Sequence, residues 1–342
     1  MGDSRGDEHV KAARAYPITA HTTDVRIEQV EVPVPAPGEV LVQITAAGVT
    51  PLDHAVATSG PSRAGLLPLT LGGEGAGLVV ADPAAYWRAG TRVMFFAGSG
   101  GVTADGTMAE FAVVPARNLA EIPVSVSDEV AAAVPIAYLT GLLALRLGAF
   151  RPGECVFAPG IGGSVGNATV QLARALGAAA VAGGVGTTAK AEAIRAAPWA
   201  RDIEVVDLER DRLPDTLGDG FPAGVDLAVD GVGGAVTAQI AAAMAVGGRL
   251  ILVGCSGGRS TCLPLHEVIE RRTTLRGFSL HAASTAESRA AWAEITGLLT
   301  AGRISPVIDS IYPLEAVGEA LRHLVEDRPV GKVVITGLSS TR

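Results

Sequence analysis

Apolar and polar residues alternate along the first third of the chain in short runs that Gly and Pro interrupt. The runs are VRIEQVEVPVP (25–35), GEVLVQITAAGV (38–49), LGGEGAGLVV (71–80), TRVMFFAGS (91–99) and MAEFAVVPA (108–116). Alternation with a period of two is typical of half-buried strands, and Gly and Pro mark the turns between them. This part of the chain is therefore predicted to form a mainly β, barrel-like domain.

The pattern changes near Val130, where apolar residues take helical spacing over 129–147. Strand-like and helical stretches then alternate. The strand-like stretches are ECVFAPG, AAAVAGG, VDLAVDGVG and GRLILVGCSG, and the helical ones are VGNATVQLARALG, TAKAEAIRAA and TAQIAAAMAVG. Strands that alternate with helices of this length predict right-handed crossovers and a parallel sheet.

The C-terminal part returns to the style of the first. A helix is predicted over 288–302, and Ser284 and Glu287 have the spacing of a capping box. Strand-like runs at 306–314 and 331–337 flank a helical EAVGEALRHLVE. These strands are expected to rejoin the N-terminal β domain.

Length and composition agree with two domains. The chain has 342 residues, of which 48% are hydrophobic and 18% charged, so folded cores are expected rather than disorder. The predicted fold class is α/β. A β-barrel-type domain spans residues 10–130 and is completed by 304–342, and a doubly wound Rossmann domain spans 131–303. Residues 1–9 are polar and are predicted to form a loose tail.

Charge and cysteine content narrow the function classes. The net charge of −8 disfavours nucleic-acid binding, and RRTTLR (271–276) is interpreted as a strand with exposed Arg. The sequence has no apolar run of about 18 residues, so no membrane span is predicted. The N-terminus lacks the apolar core of a signal peptide. Cys155, Cys255 and Cys262 are interpreted as small core residues. A cytoplasmic protein without a membrane or nucleic-acid partner is expected.

A glycine-rich turn lies between a predicted strand and a predicted helix, at Gly160, Gly162, Gly163 and Gly166. Such glycines permit a tight turn, close approach of backbone to a pyrophosphate and close packing of helix on strand. These glycines, Ser164 and Val165 are therefore predicted to bind a dinucleotide. The run is interpreted as one residue longer than a compact GxGGVG, with Ser164 as the extra residue. A purely structural turn is the alternative.

The end of the next strand bears on the type of dinucleotide. The stretch AVAGGVGTTAK (180–190) contains no acid of the kind that often holds the ribose 2′-hydroxyl of NAD. Lys190, with the hydroxyls of Thr187 and Thr188, suits a 2′-phosphate instead. The cofactor is therefore predicted to be NADPH, unless Lys190 is only a solvated helix residue.

Several longer stretches resemble the medium-chain dehydrogenase/reductase superfamily. They are EVPVPAPGEVLVQITAAGVTPLD, LGGEGAG, PIAYLTGLLAL, the glycine turn, VDLAVDGVGG, GGRLILVG, LRGFSL and AGRISPVIDSIYPLEAVGEALRHLVEDRPVGKVVITG. Their order and spacing carry the resemblance to the superfamily, and the branch that the chain resembles most is that of the zinc-independent quinone oxidoreductases. The resemblance implies a GroES-like catalytic domain, a Rossmann domain and a nicotinamide between them. It also implies a homodimer, formed through the edge strand TTLRGFSL (273–280).

The resemblance indicates where zinc would bind. Zinc-dependent members have Cys at the position of Thr50 and His at that of Gly73, and their four-cysteine lobe has no counterpart in this sequence. The sequence contains no Cys/His cluster at metal-ligand spacing, so no metal site is predicted. Glu74 is interpreted as a structural hydrogen-bond acceptor. Without zinc to polarise a carbonyl, hydride transfer to an electron-poor acceptor is expected.

The stretch GVTPLD matches the quinone oxidoreductase motif GVNPxD, which a Tyr follows two residues on. Thr50 stands in place of the Asn, Asp53 is retained and Ala55 stands in place of the Tyr, which weakens the case for quinone as substrate. The resemblance places Thr50, Asp53, His54 and Thr140 near the nicotinamide. His54 is either a proton donor or an exposed loop histidine.

The same resemblance assigns Gly254, Phe278, Leu280 and Lys332 to the cofactor pocket, although Phe278 also suits a plain core position. The expected function is NADPH-dependent, zinc-independent hydride transfer to a quinone or an α,β-unsaturated carbonyl. The alternatives are an enoyl thioester reductase of secondary metabolism and a cofactor-binding protein without redox turnover. Loops such as 59–68 are expected to shape the pocket for a small-molecule substrate.

Overall fold

The computed structural model describes residues 9–16, 24–58 and 67–338. The predicted tail lies outside these ranges except for His9, which opens the first strand, and loop 59–68 lies outside them except for its last two residues. The strands are β1 (His9–Ala15), β2 (Val25–Glu31), β3 (Glu39–Val49), β4 (Leu69–Thr70), β5 (Glu74–Ala81), β6 (Arg92–Phe96), β7 (Phe111–Pro115), β8 (Leu119–Glu121), β9 (Cys155–Pro159), β10 (Ala180–Val185), β11 (Glu204–Asp207), β12 (Val225–Asp230), β13 (Met244–Leu252), β14 (Thr274–Gly277), β15 (Ile308–Pro313) and β16 (Lys332–Thr336).

The α-helices of the described ranges are α1 (Pro51–Ala57), α2 (Asp128–Ala132), α3 (Pro135–Leu147), α4 (Ser164–Ala175), α5 (Thr188–Ala196), α6 (Leu213–Thr216), α7 (Ala235–Ala243), α8 (Leu265–Glu270), α9 (Thr285–Thr300) and α10 (Val317–Arg322). None of them is long and apolar enough to cross a membrane.

The first of two compact units comprises Met1–Ile136, Ser288–Thr296 and Val307–Arg342, of which only the described residues are considered. Its larger sheet has the order β15-β16-β3-β5-β6-β8, with β7 also paired to β3, and its smaller sheet has the order β2-β1-β4. Strand β3 runs antiparallel to β5, β7 and β16. The apolar side chains of these strands form one core, which includes Val42 and Phe95.

The second unit comprises Ala137–Glu287 and Gly297–Pro306. Its sheet has the order β11-β10-β9-β12-β13-β14, and every neighbouring pair is parallel. Counted from β9, this is the order 3-2-1-4-5-6 of a dinucleotide-binding doubly wound sheet. The order reverses between β9 and β12, so the loops that follow these two strands border the crevice in which such folds bind ligands.

Several predicted helix ends are confirmed by their capping groups. The hydroxyl of Ser284 accepts the backbone N–H of Glu287, and the Glu287 carboxylate accepts the Ser284 N–H, which is the predicted capping box of α9. Gly177 follows the last turn of α4 with φ of +91°, a left-handed conformation that favours glycine. Helix α9 therefore begins, and α4 ends, where the local sequence predicts.

Three predictions differ from the structure, and one observed strand was not predicted. The helical stretch 129–147 divides into α2 and α3, because Pro135 cannot continue α2 and instead opens α3. The predicted helix TAQIAAAMAVG ends at Ala243, and its last four residues belong to β13. One expectation placed His54 in a loop. The residues around it instead form helix α1, because Thr50 caps the start of this helix. Strand β11 is absent from the sequence prediction because it is only four residues long.

The interpretation of the cysteines as core residues is wrong for two of them. Cys255 and Cys262 are exposed, and Cys155 is half-buried. Both exposed residues follow β13 in the Gly- and Ser-rich stretch GCSGGRSTC, which forms a loop rather than a continuation of the apolar strand.

Candidate functional site

The glycine turn joins β9 to α4 at the reversal point of the parallel sheet. A Cβ added at Gly166 would lie 2.5 Å from the carbonyl oxygen of Gly160 and 2.6 Å from that of Pro159. Gly166 therefore allows α4 to pack directly on the end of β9. A Cβ added at Gly163 would meet only the Gly160 oxygen, at 3.3 Å, and Gly163 is exposed. The space in front of Gly163 is thus open at the helix N-terminus.

Ser164 is the first residue of α4, and Gly163 is its N-cap. The three-residue spacing of Gly163 and Gly166 is that of the second and third glycines of a dinucleotide fingerprint. The first intrahelical bond runs from the N–H of Asn167 to the Gly163 carbonyl, at 3.0 Å. The N–H groups of Ser164, Val165 and Gly166 precede it, and such groups are the usual anion donors.

The loops after β12 and β13 meet at the same edge of the sheet. Asp230, at the end of β12, is fully buried, and its carboxylate accepts the N–H groups of Val232 and Gly233, at 2.8 and 2.9 Å. A Cβ at Gly254 would lie 2.7 Å from the Gly231 carbonyl oxygen. Gly254 is therefore needed where these two loops touch. The sequence prediction omitted Asp230, although the dipeptide Asp-Gly after an apolar strand is a turn signal.

The end of β10 and the start of α5 carry the predicted 2′-phosphate residues. The Thr187 hydroxyl caps α5 by accepting the N–H of Lys190, at 3.4 Å. The Thr188 hydroxyl donates to Asp207, at 2.6 Å, and the Thr188 N–H donates to Glu209, at 2.8 Å. The sequence prediction did not place these two acids here, because Asp207 ends and Glu209 follows a different strand, β11. The Thr188 bond holds the pKa of Asp207 below its usual value.

In the first unit, Thr50 and Asp53 form the capping box of α1. One oxygen of the buried Asp53 carboxylate accepts the backbone N–H and the hydroxyl of Thr50, both at 2.7 Å. The other oxygen accepts the N–H of Gly72, at 3.1 Å. Burial raises the pKa of Asp53 to about 6, against the opposing effect of the Thr50 bonds. The Asp53 carboxyl therefore exchanges its proton at a higher pH than an ordinary aspartate, with a pKa of about 6.

A buried ion pair between Glu74 and Lys332 lies within the same unit. The second oxygen of Glu74 accepts the N–H of Ile136, at 2.7 Å. A Cβ at Gly48 would lie 2.8 Å from Glu74, so the strand β3 leaves room for this side chain. Glu74 thus acts as a structural acceptor, as interpreted from sequence. The Lys332 side chain is only 4% exposed, which limits what it can reach beyond Glu74.

The remaining predicted residues lie as follows. His54 is half-buried on α1, next to Asp53 in the chain, and Thr140 is buried on α3 in the second unit. Phe278 and Leu280 follow β14 and are half-buried, and the Phe278 N–H donates to the Leu252 carbonyl at 2.9 Å. Of the predicted site residues, Thr50 and Asp53 contact each other directly. The residues of the glycine turn lie together at the start of α4.

Zinc does not fit the residues present. The two positions that hold Cys and His in zinc-dependent relatives are Thr50 and Gly73, and the neighbouring Glu74 is already engaged by Lys332 and a backbone N–H. In the part of the chain that the structure describes, no group of three His, Cys, Asp or Glu side chains could hold a metal ion.

Comparisons with known proteins agree with this architecture. Residues 36–124 match the family described as alcohol dehydrogenase GroES-like domain, and residues 203–335 match the family described as zinc-binding dehydrogenase. The quinone oxidoreductase of Rattus norvegicus is 28% identical over 342 residues, with 96% of this chain and 98% of that protein covered.

Two solved structures share the fold over nearly the whole chain. An NAD-dependent alcohol dehydrogenase has a TM-score of 0.80 at 28% identity and covers 95% of this chain and 99% of its own. A mycobacterial protein complexed with NADPH has a TM-score of 0.79 at 26% identity and covers 96% and 99%. The GroES-like domain and the Rossmann-type parallel sheet confirm the predicted fold class. Together they define a pyridine-nucleotide-binding oxidoreductase.

The chain belongs to the medium-chain dehydrogenase/reductase superfamily, and within it the chain is quinone oxidoreductase-like.

Proposed function

We propose that the protein is an NADPH-dependent, zinc-independent oxidoreductase that reduces a quinone or an α,β-unsaturated carbonyl. The observation that carries the proposal is the open glycine turn at the reversal point of the 3-2-1-4-5-6 sheet, with Gly163 exposed in front of the α4 N-terminus. When bound, the dinucleotide supplies the hydride. The chain's own residues position the dinucleotide and the acceptor and hold a proton.

Two features support NADPH over NADH. Residues 180–190 carry no acid, and Lys190 stands in the first turn of α5. A cation suits a 2′-phosphate, whereas a carboxylate on the strand itself would repel it. Of the two similar structures, one is NAD-dependent and the other contains NADPH, so the shared fold leaves the choice to the residues at this strand end.

Thr50 and Asp53 supply the proton chemistry in this proposal. Reduction of an activated C=C adds a hydride to one carbon and a proton to the other. The Thr50 hydroxyl and the Asp53 carboxyl lie 2.7 Å apart. When Asp53 is protonated, its proton can pass to the Thr50 oxygen while the Thr50 proton passes to the acceptor, which leaves Asp53 as the carboxylate. Asp53 acts through Thr50 and is a positioning residue. Since no zinc polarises a carbonyl, the acceptor must already be electron-poor.

Ala55 bears on the choice between the two acceptors. It is exposed on α1, at the position where quinone oxidoreductases have a tyrosine by resemblance. The loss of that hydroxyl favours an enone over a quinone. An enoyl thioester, which is also an activated C=C, is the second candidate acceptor, and the unidentified acceptor is a small molecule.

NADPH consumption measured with a panel of quinones, enones and enoyl thioesters tests the proposal. Turnover with at least one acceptor class is expected. NADPH binding without turnover on any class would contradict the enzyme proposal and favour a cofactor-binding protein. Failure to bind NADPH at all would contradict the cofactor proposal as well.

We also propose that two copies pair through β14. This strand is the edge of the parallel sheet, and all four of its residues are exposed. Large apolar side chains nearby are also exposed in the single chain: Val246, Leu265, Ile269 and Leu275. An unpaired edge strand with an apolar surround is suited to pairing with a second copy.

A further inference from the structure

Two acids from the end of β11 meet the first residue of α5. Glu209 accepts the backbone N–H of Thr188 at 2.8 Å, and Asp207 accepts the Thr188 hydroxyl at 2.6 Å. The N–H of Glu209 donates to the other oxygen of Asp207, at 3.1 Å. The Glu209 carboxylate thus accepts the N–H of the first residue of a nine-residue helix. This N–H has no acceptor within the helix, and the helix dipole favours an anion at this end.

The position of this contact in the fold relates it to recognition of the adenosine ribose of a dinucleotide. Strand β10 lies next to β9 in the parallel sheet, and α5 follows β10 directly. In dinucleotide-binding sheets the residues at the end of the second strand recognise the ribose 2′ substituent of the adenosine. The donors of Thr188 therefore lie where a 2′-hydroxyl and a 2′-phosphate are told apart.

We propose that Glu209 is a specificity-determining residue that competes with the 2′-phosphate for the N-terminus of α5. This inference rests on the proposed dinucleotide function. A carboxylate and a phosphate are both anions that seek the same N–H donor, so NADPH binding must displace Glu209 or bear its repulsion. A 2′-hydroxyl carries no charge and can donate to the carboxylate, so NADH binding leaves Glu209 in place.

Glu209, rather than Asp207, is the residue that can move. Asp207 is buried, and its carboxylate is held by both the Thr188 hydroxyl and the Glu209 N–H. The Glu209 side chain is exposed, and its carboxylate accepts the backbone N–H of Thr188 on α5. Rotation of Glu209 into solvent therefore costs little, whereas Asp207 keeps β11 and α5 together in either state. Lys190 and Glu209 then oppose each other in setting NADPH affinity.

The test compares Glu209→Gln and Glu209→Ala with the wild type, using calorimetric titration of NADPH and NADH separately. Gln removes the charge and keeps the acceptor, and Ala removes both. NADPH affinity is expected to rise by about 3- to 10-fold in each variant. NADH affinity is expected to stay the same or to fall.

Glu204→Gln is the matched control. Glu204 lies at the other end of β11, and its carboxylate also accepts a backbone N–H, that of Gly218, at 2.8 Å. Its substitution is expected to leave the ratio of NADPH to NADH affinity unchanged. A thermal melt of each variant checks that the fold is retained.

The outcomes separate the two proposals. If the wild type binds NADPH and the Gln variant leaves the affinity ratio unchanged, the competition by Glu209 is refuted while the cofactor proposal stands. An equal gain for both dinucleotides would refute it too. If the wild type binds neither dinucleotide, the proposed function itself is wrong, and the inference falls with it.

Discussion

At the scale of single residues, Asp53 joins two segments of the first unit through one carboxylate. Its carboxylate accepts two hydrogen bonds from Thr50, and these bonds cap the start of α1. It accepts a third hydrogen bond from the N–H of Gly72, a residue that precedes β5. Three donors around a buried carboxylate favour its charged form, yet burial outweighs them and raises the pKa to about 6. The same residue therefore supports the helix start and stores a proton.

The stability of the protein should report this titration. Because the folded state holds the Asp53 proton more tightly than the unfolded chain, the group's contribution is fully present below about pH 4. It is lost as the pH rises through about 6. The free energy of unfolding of the wild type, minus that of Asp53→Asn, should fall by about 2–3 kcal/mol between pH 4 and 7.5. Chemical denaturation at several pH values measures it, and a constant difference would contradict the buried titration.

Lys190 is expected to discriminate between the two dinucleotides. Lys190→Ala should weaken NADPH binding by about 10- to 150-fold, the loss of one charge-assisted hydrogen bond, and change NADH binding little. Fluorescence titration with both dinucleotides measures the ratio. Arg195→Ala, on the same helix, is the control, because its guanidinium donates to the Val205 carbonyl. Equal losses for both dinucleotides in the Lys190 variant would refute the phosphate contact.

The metal content of the purified protein tests the zinc-independent proposal. Thr50 and Gly73 offer no thiolate or imidazole, and Glu74 is neutralised by Lys332. Elemental analysis should therefore find no stoichiometric zinc, and a chelator should leave NADPH consumption unchanged. One zinc per chain, lost together with activity on chelation, would overturn the proposal.

At the scale of elements, the βα turn after β9 combines two glycines with different requirements. Gly163→Val should weaken NADPH binding by more than about 10-fold while the protein still melts cooperatively, because the added Cβ would meet one atom, the Gly160 carbonyl oxygen at 3.3 Å, at an exposed position. Gly166→Ala should instead destabilise the fold by about 1–3 kcal/mol, because its Cβ would overlap the Gly160 carbonyl. Both are measured by titration beside a thermal melt.

Normal NADPH binding by a well-folded Gly163→Val variant would show that the turn serves packing alone. If the Val variant does not fold, Gly163→Ala provides the same comparison with a smaller side chain.

The elements that sequence patterns predicted are those with a strong local signal. Strands such as β9 and β12 are mostly apolar and are followed by Gly, and α9 carries its own capping box, so each could be found from its own residues. Strand β11 has four residues and little local signal, and only its pairing with β10 defines it.

The same limit applied to the candidate site. The glycine turn and Lys190 are local in sequence and were predicted, whereas the Glu209 contact with Thr188 joins residues 21 apart. The ion pair of Glu74 with Lys332 joins residues 258 apart, so sequence alone indicated an acceptor at Glu74 but not its partner. Long-range pairs of this kind depend on the register of the sheet, which local patterns do not encode.

At the scale of the whole molecule, self-association through β14 is the main expectation. The protein should show twice the mass of one chain in light scattering at micromolar concentration. Leu275→Glu should shift it to the monomer, because a charge would then face the partner strand. Val124→Glu is the control, since Val124 is 99% exposed and belongs to the first unit, whereas β14 belongs to the second. A monomeric wild type would refute the proposed dimer.

The order of strands along the chain has a consequence for how the protein is made. Strand β16 pairs with β3, with Val333 opposite Val49, and brings Lys332 to Glu74. The six strands of the second unit all lie between these two partners. During translation the ribosome therefore releases a complete doubly wound sheet while β3 still has an open edge and Glu74 still lacks its cation. Strands β15 and β16 follow that sheet in the chain and close the first unit, so a nascent chain stalled before β15 carries one finished unit and one unfinished one.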